Sequence, residues 1–289
     1  MNILKKLFVQ GRWDIAFSMN GGEDFNFIKS TSNRWFADPF CYEKEGRHYI
    51  FCEVMQGEKG KGAIGVFAID DENPCCKVVI EEPFHMSYPN VFEISGTVYM
   101  IPETHQAKQV RLYRAVAFPY EWKLCKVLLD GVDVADSTFM HFGESDYLLT
   151  YDVSNAEGRL LCYWFDRNQV EVGSLLFECD DAESQERPGG NCIYDKDGTV
   201  VRVVQNCQDR YGAGLIYKKV VSVSVSGIEE KTVFEIKPND IVAGSKYSGV
   251  HTYNSIGDMA VYDLAKEALT PSKPFLHFRR MVNRIRNNQ

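Results

Sequence analysis

The sequence predicts an all-β protein, a five-bladed β-propeller followed by a short C-terminal amphipathic helix. Three observations predict it. One pattern recurs five times at a spacing of roughly fifty residues. Each copy reads as two short strands around a turn, with further alternating strands between copies. Helical periodicity is absent until the last twenty residues. About four strands per repeat, five times over, is the pattern of a propeller, whereas a solenoid would use shorter repeats.

The copies start at Asp38, Tyr88, Asp136, Arg187 and His251. In the first, Asp38-Pro39-Phe40 runs through Gly46 and Tyr49 to Glu53. In the second, Tyr88-Pro89-Asn90 runs through Gly96 and Tyr99 to Glu103, so proline, glycine, tyrosine and glutamate recur at the same offsets. The third puts Tyr147 and Tyr151 at the offsets of Tyr49 and Glu53. The fourth, from Arg187-Pro188, ends near Gln205, and the fifth, from His251, ends near Asp263. Glu45-Gly46 and Ser95-Gly96 mark the first two turns. Alternating segments at 63–69, 110–115, 122–129, 160–165, 170–177, 214–225 and 232–236 supply the strands between copies. A strand near Trp13 to Phe17 is placed to complete the last blade and close the ring, which removes open edges. Residues 1–271 read as the propeller and 272–289 as a basic tail.

Composition narrows the function. The chain has 289 residues, 45% of them hydrophobic and 25% charged, with net charge -8. The apolar content excludes disorder, and no apolar run reaches the roughly 18 residues of a spanning helix. The acidic balance argues against a nucleic-acid partner. The apolar stretch at the N-terminus is too short for a signal peptide. Nine cysteines without a CxxC pair read as small buried hydrophobes in a reducing compartment, so a cytoplasmic location is expected. No cofactor motif is present. Gly57 to Gly62 has the glycine content of a phosphate loop but not its spacing, and reads as a hairpin turn.

In a propeller the innermost strand of each blade lines the central channel. The five start residues should therefore meet at one mouth, and Glu53, Glu103, Tyr151-Asp152, Gln205 and Asp263 form a second polar ring. Charged groups are costly to bury unless paired or functional. The plain alternative is a hydrated channel in which Arg187 neutralises Asp38 or Asp136. The functional reading is a sugar site: Asp38, Glu103 and Asp136 as base, acid and pKa modulator, with Trp35, Glu53, His85, Tyr88, Arg187, Asp209 and His251 as binding residues. Arg187 would take a phosphate or carboxylate. Aromatics near the strand starts would stack on sugar rings. No spacing points to a metal centre, although channel carboxylates are suited to hold an ion.

Several segments together resemble one family. They are Trp35-Phe36-Ala37-Asp38-Pro39-Phe40, Phe51-Cys52-Glu53, the run Glu82 to Glu93, Val98-Tyr99-Met100-Ile101-Pro102-Glu103, Arg187-Pro188-Gly189-Gly190 and Gly249-Val250-His251-Thr252. The chain resembles the N-terminal domain of plant glucosamine inositolphosphorylceramide transferases over about residues 30 to 255. Bacterial stand-alone members are similar and associated with capsule and surface-polysaccharide synthesis. More distantly, the layout resembles five-bladed glycoside hydrolases of the arabinanase, xylosidase and invertase type. In those, the aspartate matched by Asp38 is base or nucleophile, and later carboxylates correspond loosely to Asp136 and Glu103. The chain has Pro102-Glu103-Thr104 where those enzymes carry Glu-Gly-Pro around the acid. The resemblance implies a glycosyltransferase of surface-glycan assembly. A hydrolase or phosphorylase with the same carboxylates, and a non-catalytic sugar-binding or scaffold propeller, are the alternatives. Partners would be a sugar or sugar nucleotide and a glycolipid acceptor.

Five basic and no acidic residues follow Glu267. Phe275, Phe278, Met281, Val282 and Ile285 recur at helical steps. A helix docked with its basic face in water is one reading. Adhesion to an anionic membrane at the inner face is the other.

Overall fold

The computed structural model describes residues 9–22, 24–57, 59–154, 157–181 and 185–269. The expected helix at 272–289 lies outside them. The described chain forms five four-stranded antiparallel sheets arranged as the blades of a propeller. The N-terminal strands β1 (Val9–Ser18) and β2 (Asn26–Ile28) are followed by blade 1, made of β3 (Arg34–Lys44), β4 (Arg47–Gln56), β5 (Lys61–Ala68) and β6 (Lys77–Ile80). Blade 2 comprises β7 (Ser87–Ile94), β8 (Thr97–Glu103), β9 (Gln109–Ala117) and β10 (Glu121–Asp130). Blade 3 comprises β11 (Val134–Phe142), β12 (Ser145–Asp152), β13 (Arg159–Asp166) and β14 (Glu171–Asp180). Blade 4 comprises β15 (Ile193–Tyr194), β16 (Val200–Asn206), β17 (Gly214–Ser224) and β18 (Gly227–Ile236). The last blade takes its inner strands from the C-terminal side, β19 (Tyr253–Ile256) and β20 (Met259–Leu269), and its outer strands from the N-terminus. Strand β1 pairs along β20 from Val9↔Leu269 to Ser18↔Ala260. The expected closure is thus made by two N-terminal strands, not one.

Every predicted strand is present. Strands β2 and β6 add to those expected; each is a three- or four-residue outer strand with exposed positions and no alternation to detect. The only described α-helix is a single turn, α1 (Pro238–Ile241). At the inner hairpins Glu45-Gly46 and Ser95-Gly96 all have positive φ, the conformation that two-residue turns require and that glycine tolerates at their second position.

Five apolar clusters fill the five seams between neighbouring blades. Phe40, Phe51 and Ile64 meet Tyr88, Met100 and Tyr113 across the first. Ile15 and Val261 meet Ile50 and Phe67 where the ring closes. Of the nine cysteines, all free, Cys41, Cys52, Cys162 and Cys192 are buried as expected, whereas Cys75 and Cys125 are exposed.

The repeat seen in the sequence has a structural cause. Asp38, Tyr88 and Asp136 have φ of 49°, 44° and 52°. Each sits at a register shift in the inner hairpin of its blade, between Ala37 and Phe40, Ser87 and Asn90, and Ala135 and Thr138. These are β-bulges whose first residue is left-handed, a device that re-aims a side chain. Proline follows in two of them, at Pro39 and Pro89, where the unpaired bulge position needs no N–H. A non-glycine residue held there costs on the order of 1–3 kcal/mol, and such strain concentrates at functional sites.

Candidate active site

The bulges turn the start residues into the channel. Asp38 is 5% exposed. Its Oδ1 accepts from Thr252 Oγ1 at 2.9 Å and lies 3.1 Å from His251 Nε2. Its Oδ2 accepts from the Tyr88 N–H at 3.2 Å. On the other side of the imidazole, Nδ1 lies 2.7 Å from Asp263 Oδ2, close but out of line for a hydrogen bond. Asp263 is itself fixed by the backbone N–H groups of Asp38, His251 and Thr252, each at 3.0 Å.

Protonation follows from this arrangement. Burial opposes a charge on His251, but the two carboxylates outweigh it and hold the imidazole well above its usual range. Burial likewise pushes Asp38 up, and the imidazolium with the two other donors, Thr252 and Tyr88, more than reverses it. Asp38, His251 and Asp263 are also the one group of described residues whose donor atoms, all within 4.8 Å, suit a metal ion. Its protein groups alone form an imidazolium between two carboxylates.

A second cluster lies across the mouth. Arg187 Nε donates to Asp136 Oδ2 at 2.5 Å, and Gln205 Nε2 donates to the same oxygen at 2.8 Å. Arg187 Nη2 is 3.7 Å from Glu103 Oε2. Burial, then the Asp136 charge, push the Glu103 carboxyl well above its usual range, with Arg187 opposing. The guanidinium lies over the Tyr151 and Tyr211 rings at 5.8 and 5.7 Å. Tyr211 also meets His251 and Trp13, and Trp13 lies 4.1 Å from the His251 ring.

The third element is Glu53. Burial, reinforced by Asp38, pushes its carboxyl up to about 8. His85 Nε2 is 3.5 Å from Glu53 Oε1, and His85 Nδ1 accepts from the Gly62 N–H at 2.8 Å. That bond assigns the neutral tautomer, with the proton on Nε2 toward Glu53. Burial keeps His85 below its usual range. Gly62 therefore closes the site instead of merely turning a hairpin. A Cβ there would stand 2.4 Å from the Met86 carbonyl oxygen and 2.7 Å from Glu53 Oε1. Gly62→Ala is expected to destabilise the fold by about 1–3 kcal/mol, measured by urea denaturation; an unchanged midpoint would refute the close approach.

Of the residues expected at the mouth, Asp38, Glu53, His85, Glu103, Asp136, Arg187 and His251 are gathered there. Tyr88 is fully buried instead. Its hydroxyl pairs with Thr138 Oγ1 at 2.8 Å, accepts from the Gly190 N–H at 2.8 Å, and braces three blades. Trp35 is also buried. Asp209 is exposed on the loop before Tyr211, apart from both clusters. Trp13 and Tyr211 were not read as site residues. Trp13 reaches the mouth only through ring closure, and Tyr211 only through a loop fold that no periodicity encodes. Below the mouth, Asn90, Asn191 and Asn254 form a belt across the channel. Asn90 Nδ2 donates to Asn191 Oδ1, Asn254 Oδ1 accepts from the Asn191 N–H, and Asn254 Nδ2 donates to the Pro39 carbonyl oxygen.

The sequence profile described as glucosamine inositolphosphorylceramide transferase 1, N-terminal, matches residues 12–253. The chain belongs to this family. The match takes in both clusters except Asp263, which lies ten residues beyond its end. Glucosamine inositolphosphorylceramide transferase 1 of Arabidopsis thaliana is 28% identical over 257 residues, covering 85% of this chain and 32% of that protein. The Oryza sativa subsp. japonica protein is 28% identical over 232 residues, covering 75% and 29%. The chain thus spans about a third of the length of the curated relatives it matches. Among solved structures, the catalytic domain of a Coprinopsis cinerea GH62 α-L-arabinofuranosidase has TM-score 0.61 at 10% identity, covering 88% of this chain and 96% of that one. A GH43 endo-arabinanase from Bacillus licheniformis has TM-score 0.55 at 14% identity, covering 83% and 95%. These likenesses show the five-bladed fold that the family member shares.

Proposed function

We propose that the protein is carbohydrate-active and transfers a glycosyl group at this mouth, in the assembly of a surface polysaccharide or glycolipid. One feature carries the reading: a single mouth gathers three carboxyl groups whose surroundings push Asp38 down and push Glu53 and Glu103 up. Carboxyl groups whose environments push their pKa values apart are suited to divide acid and base roles. Asp38 remains negative throughout and stabilises positive charge developing at a sugar carbon. Glu53, which titrates near working pH, exchanges the proton with the acceptor or leaving oxygen. Arg187 takes the anionic part of the donor. Trp13, Tyr151 and Tyr211 supply ring surface for the sugar. The family match supports the class of chemistry, and residues 272–289 would hold the protein to an anionic membrane carrying the acceptor.

The test is an activity screen with sugar nucleotides, with glycan acceptors and lipid-linked acceptors in anionic vesicles. Wild type should form product, and Asp38→Asn and Glu53→Gln should each lose on the order of 10²-fold or more. Release of free sugar with water as acceptor would favour the hydrolase reading, for which Glu103, its carboxyl pushed up by burial and Asp136, is suited to be the acid. An inert wild type that still binds glycan would sink catalysis and leave a sugar-binding module.

A further inference from the structure

The asparagine belt divides the channel, and a second chamber lies on its far side. It is a cavity of about 390 Å³ lined by inner-strand residues of four blades, among them Phe92, Phe139, His141, Asn191 and Tyr194, and by Arg167. That volume falls within the range of small-molecule sites. None of the mouth residues lines it.

Its polar groups are arranged with one bias. Asp146 spends both oxygens inside the protein: Oδ2 accepts from Arg167 Nε at 2.8 Å, and Oδ1 accepts from Arg167 Nη2 at 2.8 Å and lies 2.7 Å from His141 Nδ1. This fixes the guanidinium in place while leaving Nη1 to give. Asn191 Oδ1 is taken by Asn90, so its amide has N–H groups left. The Tyr194 oxygen accepts from the His141 backbone N–H at 2.9 Å, and its proton, shared with the weak sulfur acceptor of Cys192, can turn to a stronger oxyanion. The Asp146 and Asn191 acceptors are consumed, whereas Arg167 Nη1 and the Asn191 amide N–H groups are not. One wall is apolar, with Phe92 and Phe139 nearly parallel at 5.3 Å and Arg167 over Phe139 at 5.5 Å.

We propose that this far chamber is a second ligand site, for a small organic oxyanion of roughly monosaccharide size. The phosphate or carboxylate would bind Arg167, Asn191 and Tyr194, and the carbon skeleton would lie against Val91, Phe92 and Phe139. A guanidinium held by a carboxylate is preorganised, so little is lost on binding. The site is independent of the transfer proposed at the mouth.

Calorimetric titration of the full chain tests it, with glucose 1-phosphate, glucuronate, glucose and inorganic phosphate as probes. Glucose 1-phosphate or glucuronate should bind at least tenfold more tightly than glucose, and whichever is tighter names the headgroup. Arg167→Gln should weaken that binding tenfold or more, and Tyr194→Phe severalfold. Arg187→Gln, which alters only the mouth, should leave the Arg167-dependent component unchanged. If Arg167→Gln proves unfolded by circular dichroism, the exposed Tyr194→Phe decides. Loss in Arg187→Gln with none in Arg167→Gln would place the anion at the mouth and overturn the proposal. So would the absence of binding, or equal weak binding of every anion regardless of substitution.

Discussion

Asp38→Ala is expected to lower stability by about 3–5 kcal/mol at pH 6, because it strands a buried charge. That is a large share of the ~5–15 kcal/mol that holds a typical domain together. The His251 imidazolium would keep only Asp263, and the buried Thr252 hydroxyl and Tyr88 N–H would lose their acceptor. The damage would also spread around the ring, because this one carboxylate joins residues of the first, second and last blades. Asp38→Asn keeps the shape and one acceptor oxygen and should cost less. The pH dependence has a definite sign. The folded-state pKa of Asp38 is depressed, so its contribution is present above the unfolded carboxylate value and is lost as the pH falls through the folded one. The deficit of Asp38→Ala should therefore be full at pH 6 and shrink on acidification below about pH 4. Urea denaturation of both proteins across that range measures it. A deficit below about 0.5 kcal/mol at pH 6, the scatter of ordinary surface substitutions, would show that Asp38 is no anchor.

The blade count and the polar mouth were legible because the bulge leaves a trace in sequence. A left-handed residue followed by an unpaired position recurs at a fixed offset in the first three inner hairpins, and Asp38-Pro39 and Tyr88-Pro89 show it plainly. The same offset led to Arg187 and His251, although neither has positive φ in the structure. What it did not reveal was direction. Asp38 and Tyr88 occupy equivalent positions, yet one is a mouth carboxylate and the other a buried brace, because tyrosine is long enough to cross to Thr138 and Gly190. Protonation was equally hidden. Glu53 and Asp263 both lie within the second strand of their blades, but Asp263 receives three backbone N–H groups, whereas Glu53 faces a neutral histidine. Such differences arise from close approaches such as that of Gly62 in β5, whose partners are distant in sequence. The buried pairing of Arg202 with Glu186 and Glu230 in blade 4 was unreadable for the same reason.

Glu53→Gln is expected to reverse the order of stability between mutant and wild type as the pH rises. Glu53 is held protonated up to about 8 in the folded protein, against 4.5 as its ordinary value. Its folded-state pKa is raised, so its burial is least costly below 4.5 and grows costlier as the pH climbs toward 8. The slope is about 1.4 kcal/mol per pH unit for each proton that unfolding releases. Glu103 acts in the same direction, since its carboxyl is also raised. His251 adds to it above pH 6.5, because a raised histidine pKa gives stability that is lost as the pH passes through the folded value. Wild type should therefore be most stable near pH 5, between the acid limb set by Asp38 and the long decline set by the buried carboxyls. Glutamine keeps the neutral, hydrogen-bonding shape of protonated Glu53 and cannot ionise. The mutant should nearly match wild type at pH 5, show a shallower decline, and melt at a higher temperature at pH 8. If Glu53 also supplies the proton in transfer, the wild-type rate should fall as it ionises near pH 8, and the stabilised mutant should be inactive at every pH. Parallel stability curves for the two proteins would mean that Glu53 titrates as an ordinary surface carboxylate, and the division of acid and base roles at the mouth would lose its basis.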